Sequence, residues 1–179
     1  MERPRPDAAA GSAYFRRSAI SFRSVNRKGS PGFDPGMQRH HLLPLQLLAM
    51  QCFGRLFDAI GCKRVGFDDF RANGLLLPAN ETATLRIGMP LHRGPHREYN
   101  AMAIERVGQI ESDWAACHSA KPDAAMRDAL FRLALLQSAL RRRLLDERRR
   151  MILNRNDPLG TGYDFTELDA MAEALWRAT

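Results

Sequence analysis

A chain of 179 residues, 45% of them apolar, has room for one domain with a modest core, or for one compact domain plus an appendage. Twenty-seven basic against 20 acidic residues leave a net charge of +7. No stretch approaches the ~20 uninterrupted apolar residues of a transmembrane helix, so a transmembrane helix is excluded. The opening MERPRPDAAAGSAYFRRS also lacks the apolar block of a secretory signal. Cys52, Cys62 and Cys117 are odd in number and widely spaced, which argues against a disulfide framework or a cysteine zinc site and fits a reducing, cytoplasmic setting. Only Lys28, Lys63 and Lys121 are lysine, so arginine carries the positive charge. Arginine's planar fork suits phosphate and admits a nucleic-acid partner, although an Arg- and Ala-rich chain also follows from a GC-rich genome.

In chain order, residues 1–36 read as a poorly ordered basic arm. They hold Pro4, Pro6, Pro31 and Pro35 and no sustained apolar period. Within the arm, AYFRRSAISF (13–22) is compatible with a short strand or helix. Leu47, Leu48, Cys52, Leu56 and Ile60 then recur at helical spacing, with Gly61 as the stop. Asn73-Gly74 reads as a tight turn into a short strand that Pro78 ends. Leu85–Leu91 reads as a second strand, closing a β-hairpin over a polar loop around Asn80 and Glu81. From about Pro95, the spacing of Tyr99, Met102, Ala103, Val107, Ile110 and Trp114 predicts a helix to about Cys117. Pro122 and Asp123 start another, whose period runs through Met126, Leu130, Leu133, Gln137, Leu140, Leu144, Glu147 and Met151 until Asp157-Pro158 breaks it. Thr166 and Asp169 open a short last helix by a capping-box-like pattern. The expected organisation is α+β: the basic arm, a small core over 37–117, and a helical extension over 118–179 that gives a C-terminal helical hairpin.

The chemistry concentrates in histidine. Four of five lie in two groups, His40-His41 and His92-Arg93-Gly94-Pro95-His96. On an extended backbone adjacent side chains point opposite ways, so one of His40 and His41 can join a metal shell while the other addresses substrate. His92 and His96 have a spacing that lets two imidazoles meet one ion, with His92 just ahead of the helix and Pro95 at its first turn. Three nitrogen ligands, open positions and one free imidazole would result. Either histidine group alone has an ordinary packing explanation; it is their joint occurrence with Asn73-Gly74 and Leu77-Pro78 between them that favours a metal site. A zinc protease is excluded because Arg93 stands where H-E-x-x-H needs glutamate. Phosphate-binding loops, a dinucleotide fingerprint and a G-x-S-x-G elbow are absent.

His40-His41-Leu42-Leu43-Pro44, Asn73-Gly74-Leu75-Leu76-Leu77-Pro78 and Pro90-Leu91-His92 through Asn100 together resemble the AHH nucleases of the HNH/endonuclease VII superfamily, over roughly residues 37–117. Arg39 departs from the pattern, standing where the family has alanine, and a local backbone change is expected there. Some relatives carry cysteine zinc ligands, which this chain has none to match. The resemblance implies a ββα-metal or treble-clef-like core and a metal-dependent endonuclease. His40, His92 and His96 would hold one divalent ion, His41 would be the general base, and Asn73 would hold the loop that positions it. Three imidazoles favour Zn²⁺, Ni²⁺ or Mn²⁺, and Mg²⁺ serves if substrate phosphate completes the shell. Arg93 and Arg97 are candidates for a phosphate clamp, or equally two solvated arginines. Tyr99 suits packing under the site better than donating to phosphate. Arg141, Arg142, Arg148 and Arg149 either complement a helix C-terminus or track a nucleic-acid backbone. The superfamily's habits favour DNA over RNA. Because the family often forms the toxic module of secreted toxins, the resemblance also admits an exported effector lacking a classical signal peptide, with an immunity protein as partner. A homodimer through the long helix stays open. The rival reading is a non-catalytic, metal- and nucleic-acid-binding regulatory protein, in which His41 would complete a closed shell.

Overall fold

The computed structural model describes residues 18–160. Its sheet has two strands, β1 (Met37–His41) and β2 (Gly74–Pro78), paired antiparallel with Met37 opposite Pro78 and His41 opposite Gly74. Four short helices fill the excursion between them: α1 (Gln46–Ala49), α2 (Gln51–Ile60), α3 (Cys62–Val65) and α4 (Phe70–Asn73). After β2 come α5 (Glu81–Ile87), α6 (Arg97–His118) and α7 (Pro122–Leu144). The result, among the described residues, is an α+β fold of one small two-stranded antiparallel sheet and several helices.

The hairpin of α6 and α7 follows from its apolar spacing. Tyr99, Ala103, Val107, Ile110 and Trp114 bury one face of α6 against Ala125, Ala129, Leu133, Leu140 and Leu144 of α7 and the α2 side chains Phe53, Leu56 and Phe57. Residues 119–121 turn the chain between the two helices. Gly61 ends α2 at φ +80°, as expected.

Several expectations are overturned. The helix expected across 47–60 is interrupted at Met50, whose ψ of 115° is extended. Leu85–Leu91 is not a strand, and β2 has β1 as its partner. Residues 81–87 are helical because Asn80 caps them: its Oδ1 accepts from Ala83 N at 2.9 Å, and Gly88 closes the helix at φ +76°. The long C-terminal helix stops at Leu144, not near residue 154. There the Asp146 carboxylate accepts from the backbone of Arg148 and Arg149 at 3.0 and 3.2 Å, a local turn that competes with helical pairing. Residues 145–160 therefore run as irregular chain back over the core.

The described part of the basic arm is also tied down. Ser21 forms a bridge with Asp69, Ile20 N donates to Asp69 Oδ1 at 2.9 Å, and Phe70 N donates to Ile20 O at 2.7 Å. Asn26 Nδ2 donates to the carbonyls of Asp34 and Met37 at 2.9 and 2.8 Å. No backbone change marks Arg39, since the ladder runs unbroken from 37 to 41. Its guanidinium instead donates to Phe22 O at 2.7 Å. The expected last helix at Thr166 lies outside the described residues, as do residues 1–17.

Candidate metal centre

Strand alternation divides the histidine pair. His40 faces inward and is 4% exposed, whereas half-buried His41 faces away from it. On the inner side, the His40 ring lies 4.9 Å from His92 and 5.7 Å from His96, centroid to centroid, and the last two are 4.4 Å apart. One ligand nitrogen from each of the three falls within 4.8 Å of the others.

Each partner in this cluster is fixed by a different part of the chain. His92 N donates to Pro78 O at 2.7 Å, which moors the histidine loop to the end of β2. Its Nδ1 lies 3.2 Å from Gln38 Oε1, two residues before His40 and so on the same face of β1. His96 is the N-cap residue of α6, with its Nδ1 3.3 Å from Leu153 O. Both acceptors fix a proton on Nδ1 and leave Nε2 with a free lone pair. Pro95 therefore stands just ahead of the helix and not in its first turn. Tyr99 packs under the site, its ring 4.9 Å from His40 and its hydroxyl donating to Leu42 O at 2.7 Å. Burial pushes that phenol's pKa well up, so it stays a donor.

The cluster's electrostatics suit a cation. Burial, reinforced by the neighbouring His92, His96 and His41, lowers His40 to about 3. Burial and the adjacent His96 and His41 lower His92 to about 4. Both are neutral at pH 7, with lone pairs available to an ion. The Nε2 of His40 is buried and has no hydrogen-bond partner, an orphaned nitrogen that a metal ion would satisfy. The donor set thus fits a divalent ion bound by three imidazoles.

His41 has a different setting. Phe22 lies face to face on its ring at 3.8 Å with only 5° between planes, and Phe70 meets Phe22 edge-on at 5.1 Å. Phe70 in turn lies over Gly74, where an added Cβ would meet its ring at 2.2 Å. Glycine opposite His41 is therefore required by packing. Neither ring nitrogen of His41 has a hydrogen-bond partner among the described residues, and burial first, then Arg39, lowers its pKa against the pull of Asp68. A proton on His41 would disfavour protonation of His40 and His92.

Asn73 is wholly buried and brackets the chain just past His41. Its Oδ1 accepts from Leu43 N at 2.7 Å, its Nδ2 donates to Leu43 O at 3.1 Å, and its carbonyl accepts from Leu42 N at 2.7 Å. Gln137 of α7 donates to the same Oδ1 at 3.3 Å. Asn73 thus acts on the backbone that carries His41 and does not reach the cluster.

A sequence model of the AHH family, a nuclease family of the HNH/endonuclease VII superfamily with a conserved AHH motif, matches residues 21–140, about two thirds of the chain. The chain belongs to this family. It is accordingly a nuclease, with nucleic acid as substrate; nucleases of this superfamily use a divalent metal, and the cluster of His40, His92 and His96 could hold one. No curated protein and no solved structure matches it.

The match starts at Ser21, so the segment that covers His41 falls within the nuclease region. Of the arginines singled out above, Arg93 and Arg97 are exposed beside the two loop histidines. Arg141 is spent on structure, donating to Arg71 O at 2.7 Å and Ala72 O at 3.5 Å at the end of α4. Arg142, Arg148 and Arg149 are exposed, but the two arginine runs do not share a helix face, because α7 ends between them. Gln38 and the carbonyl of Leu153 were invisible to motif reasoning. For Gln38 the available signal was its place two residues from His40 on one strand face. No helix among the described residues is long and apolar enough to cross a membrane.

Proposed function

We propose that this AHH nuclease is a metal-dependent endonuclease that hydrolyses phosphodiester bonds, DNA in preference to RNA, with His41 as general base. The observation that carries this reading is the division of labour along β1. His40 offers a buried, unpartnered Nε2 to a three-histidine cluster, while His41 presents untethered ring nitrogens on the other face.

His40, His92 and His96 would hold the ion, with Zn²⁺, Ni²⁺ or Mn²⁺ suited to the imidazole set and Mg²⁺ admitted when substrate phosphate adds oxygen ligands. When bound, the ion polarises the scissile phosphate and stabilises charge on the phosphorus oxygens and the leaving oxygen. His41, neutral at pH 7, takes the proton of the attacking water. Phe22 and the Asn73 bracket hold its ring and backbone, so orientation is set before substrate arrives. The phosphate is gripped by Arg93 and Arg97, whose exposure beside the loop histidines leaves both forks free for bidentate contact. Hydrolysis by this route leaves 5′-phosphate and 3′-hydroxyl ends. DNA as substrate rests on the habits of the superfamily.

The test is nicking of supercoiled plasmid by metal-stripped protein resupplied with Mg²⁺, Mn²⁺, Ni²⁺ or Zn²⁺, with His41→Ala alongside. The expected result is metal-dependent nicking that drops by about 10²- to 10⁴-fold in the variant while metal still binds. Metal lost together with activity in His41→Ala would place His41 in the shell. No cleavage of plasmid, single-stranded DNA or RNA with any of the metals would leave a binding protein in its place.

A further inference from the structure

Residues 145–160, which follow α7, have no regular secondary structure, yet they grip the histidine loop at four points. Arg150 Nη1 donates to Gly88 O at 3.0 Å, and Asn154 Nδ2 donates to Arg93 O. Leu153 O accepts from His96 Nδ1 at 3.3 Å. The Asp157 carboxylate accepts from Leu91 N through Oδ2 at 2.8 Å and from Leu159 N through Oδ1 at 3.0 Å. Leu153 is 7% exposed and Asp157 2%. All of this lies beyond residue 140, where the family match ends.

We propose that residues 150–157 are a strap that positions the histidine cluster, with Asp157 as its anchor; the consequence for metal binding rests on the reading of the cluster above. A carboxylate shut away from water needs strong compensation, and here both oxygens are occupied by backbone N–H groups. One of those groups belongs to the residue just before His92. The backbone of His92 is thereby held from two sides, by Pro78 of β2 and by the strap. The same chain presents the Leu153 carbonyl to His96, which fixes the proton on Nδ1 and aims Nε2 into the cluster. Asp157 and Leu153 are therefore positioning residues, acting through Leu91 and His96.

Asp157→Asn tests this with almost no change of shape. An amide cannot accept at both ends, so one of the two N–H groups would face an N–H₂ donor. Two readouts are taken on the full chain: the affinity for Co²⁺, followed by its visible absorption, and the tautomer of His96 in the metal-free protein, followed by long-range ¹H–¹⁵N NMR. Leu133→Ala in α7 serves as a control that loses stability without touching the strap. The expected result is a 10- to 100-fold loss of Co²⁺ affinity and a mixed His96 tautomer in Asp157→Asn, with both unchanged in the control. Co²⁺ affinity within twofold of the parent and a retained Nδ1–H tautomer would overturn the strap. If the parent binds no Co²⁺, the metal reading fails, and the tautomer alone decides the strap. If Asp157→Asn does not fold, Asn154→Ala, which frees the Arg93 carbonyl, carries the same two readouts.

Discussion

The two histidine groups reach one site by opposite routes. His40 and His41 sit on a strand, where alternation sends one inward and one outward whatever surrounds them. His92 and His96 sit on a loop with Gly94 at φ +75°, and nothing local aims their rings. Their directions come from distant partners: Pro78 on β2, Gln38 on β1, and Leu153 with Asp157 on the strap. The strand pair is thus robust to changes elsewhere, whereas the loop pair depends on contacts made across the fold. Perturbations that distinguish the two groups test this contrast.

Acid is expected to have the largest effect. His40 and His92 have folded pKa values of about 3 and 4 against an ordinary 6.5, lowered chiefly by burial. Between pH 6.5 and those values the unfolded chain binds more protons than the folded one, so stability falls as pH falls. At ~1.4 kcal/mol per pKa unit, His40 alone accounts for roughly 3 kcal/mol by pH 4. Urea melts of EDTA-treated protein at pH 8, 6.5, 5 and 4 should show a flat upper range and a steep drop below 6.5. His40→Asn should flatten that drop. A parent midpoint that does not move between pH 6.5 and 4 would mean the inward histidine is not held in the neutral state that burial demands.

Asn73→Ala should come next, and it acts on the strand side. Removing the side chain leaves the Leu43 amide and carbonyl without their partner in a site closed to water. Two or three such losses make a cost of about 2–3 kcal/mol. The turn after His41 loosens while the loop histidines keep their tethers. Melts read the stability loss, and Co²⁺ affinity should stay within about twofold. A large fall in Co²⁺ affinity would show that the bracket supports the loop pair as well, and the contrast between the groups would fail.

What the sequence makes legible follows the same division. The strand pair, the H-x3-H spacing, the apolar stripe of α6 and that of α7 as far as Leu144 are local patterns, and each stands in the fold where its pattern puts it. The excursion of four helices between β1 and β2 hides their pairing, because no turn signal joins strands 33 residues apart. Helix α5 was open to detection from its two caps, Asn80 and Gly88, but the apolar residues around Leu85 also suit a strand. The tether on His96 is a main-chain carbonyl, which every residue carries, so Leu153 advertises nothing by its identity. Asp157 before Pro158 reads as a helix breaker, and only the fold shows its carboxylate holding Leu91. Arg141 likewise belongs to a basic run by sequence, and only contact with α4 removes it from the free cations.

Gln38 links the two groups and gives the smallest and most discriminating effect. It stands on the strand but serves the loop, with Oε1 3.2 Å from His92 Nδ1. Unlike Asp157 it is exposed, so water can take its place when it is truncated. Gln38→Ala should therefore weaken Co²⁺ binding by only about tenfold, the low end of what second-sphere partners of metal histidines contribute. Gln38→Glu keeps an acceptor and adds charge, so it should restore or raise affinity. A loss in Gln38→Ala as large as that in Asp157→Asn would mean that the ring, and not the backbone, is the weak point of His92. Orientation of the loop pair would then be controlled from β1, and the strap would matter chiefly through His96.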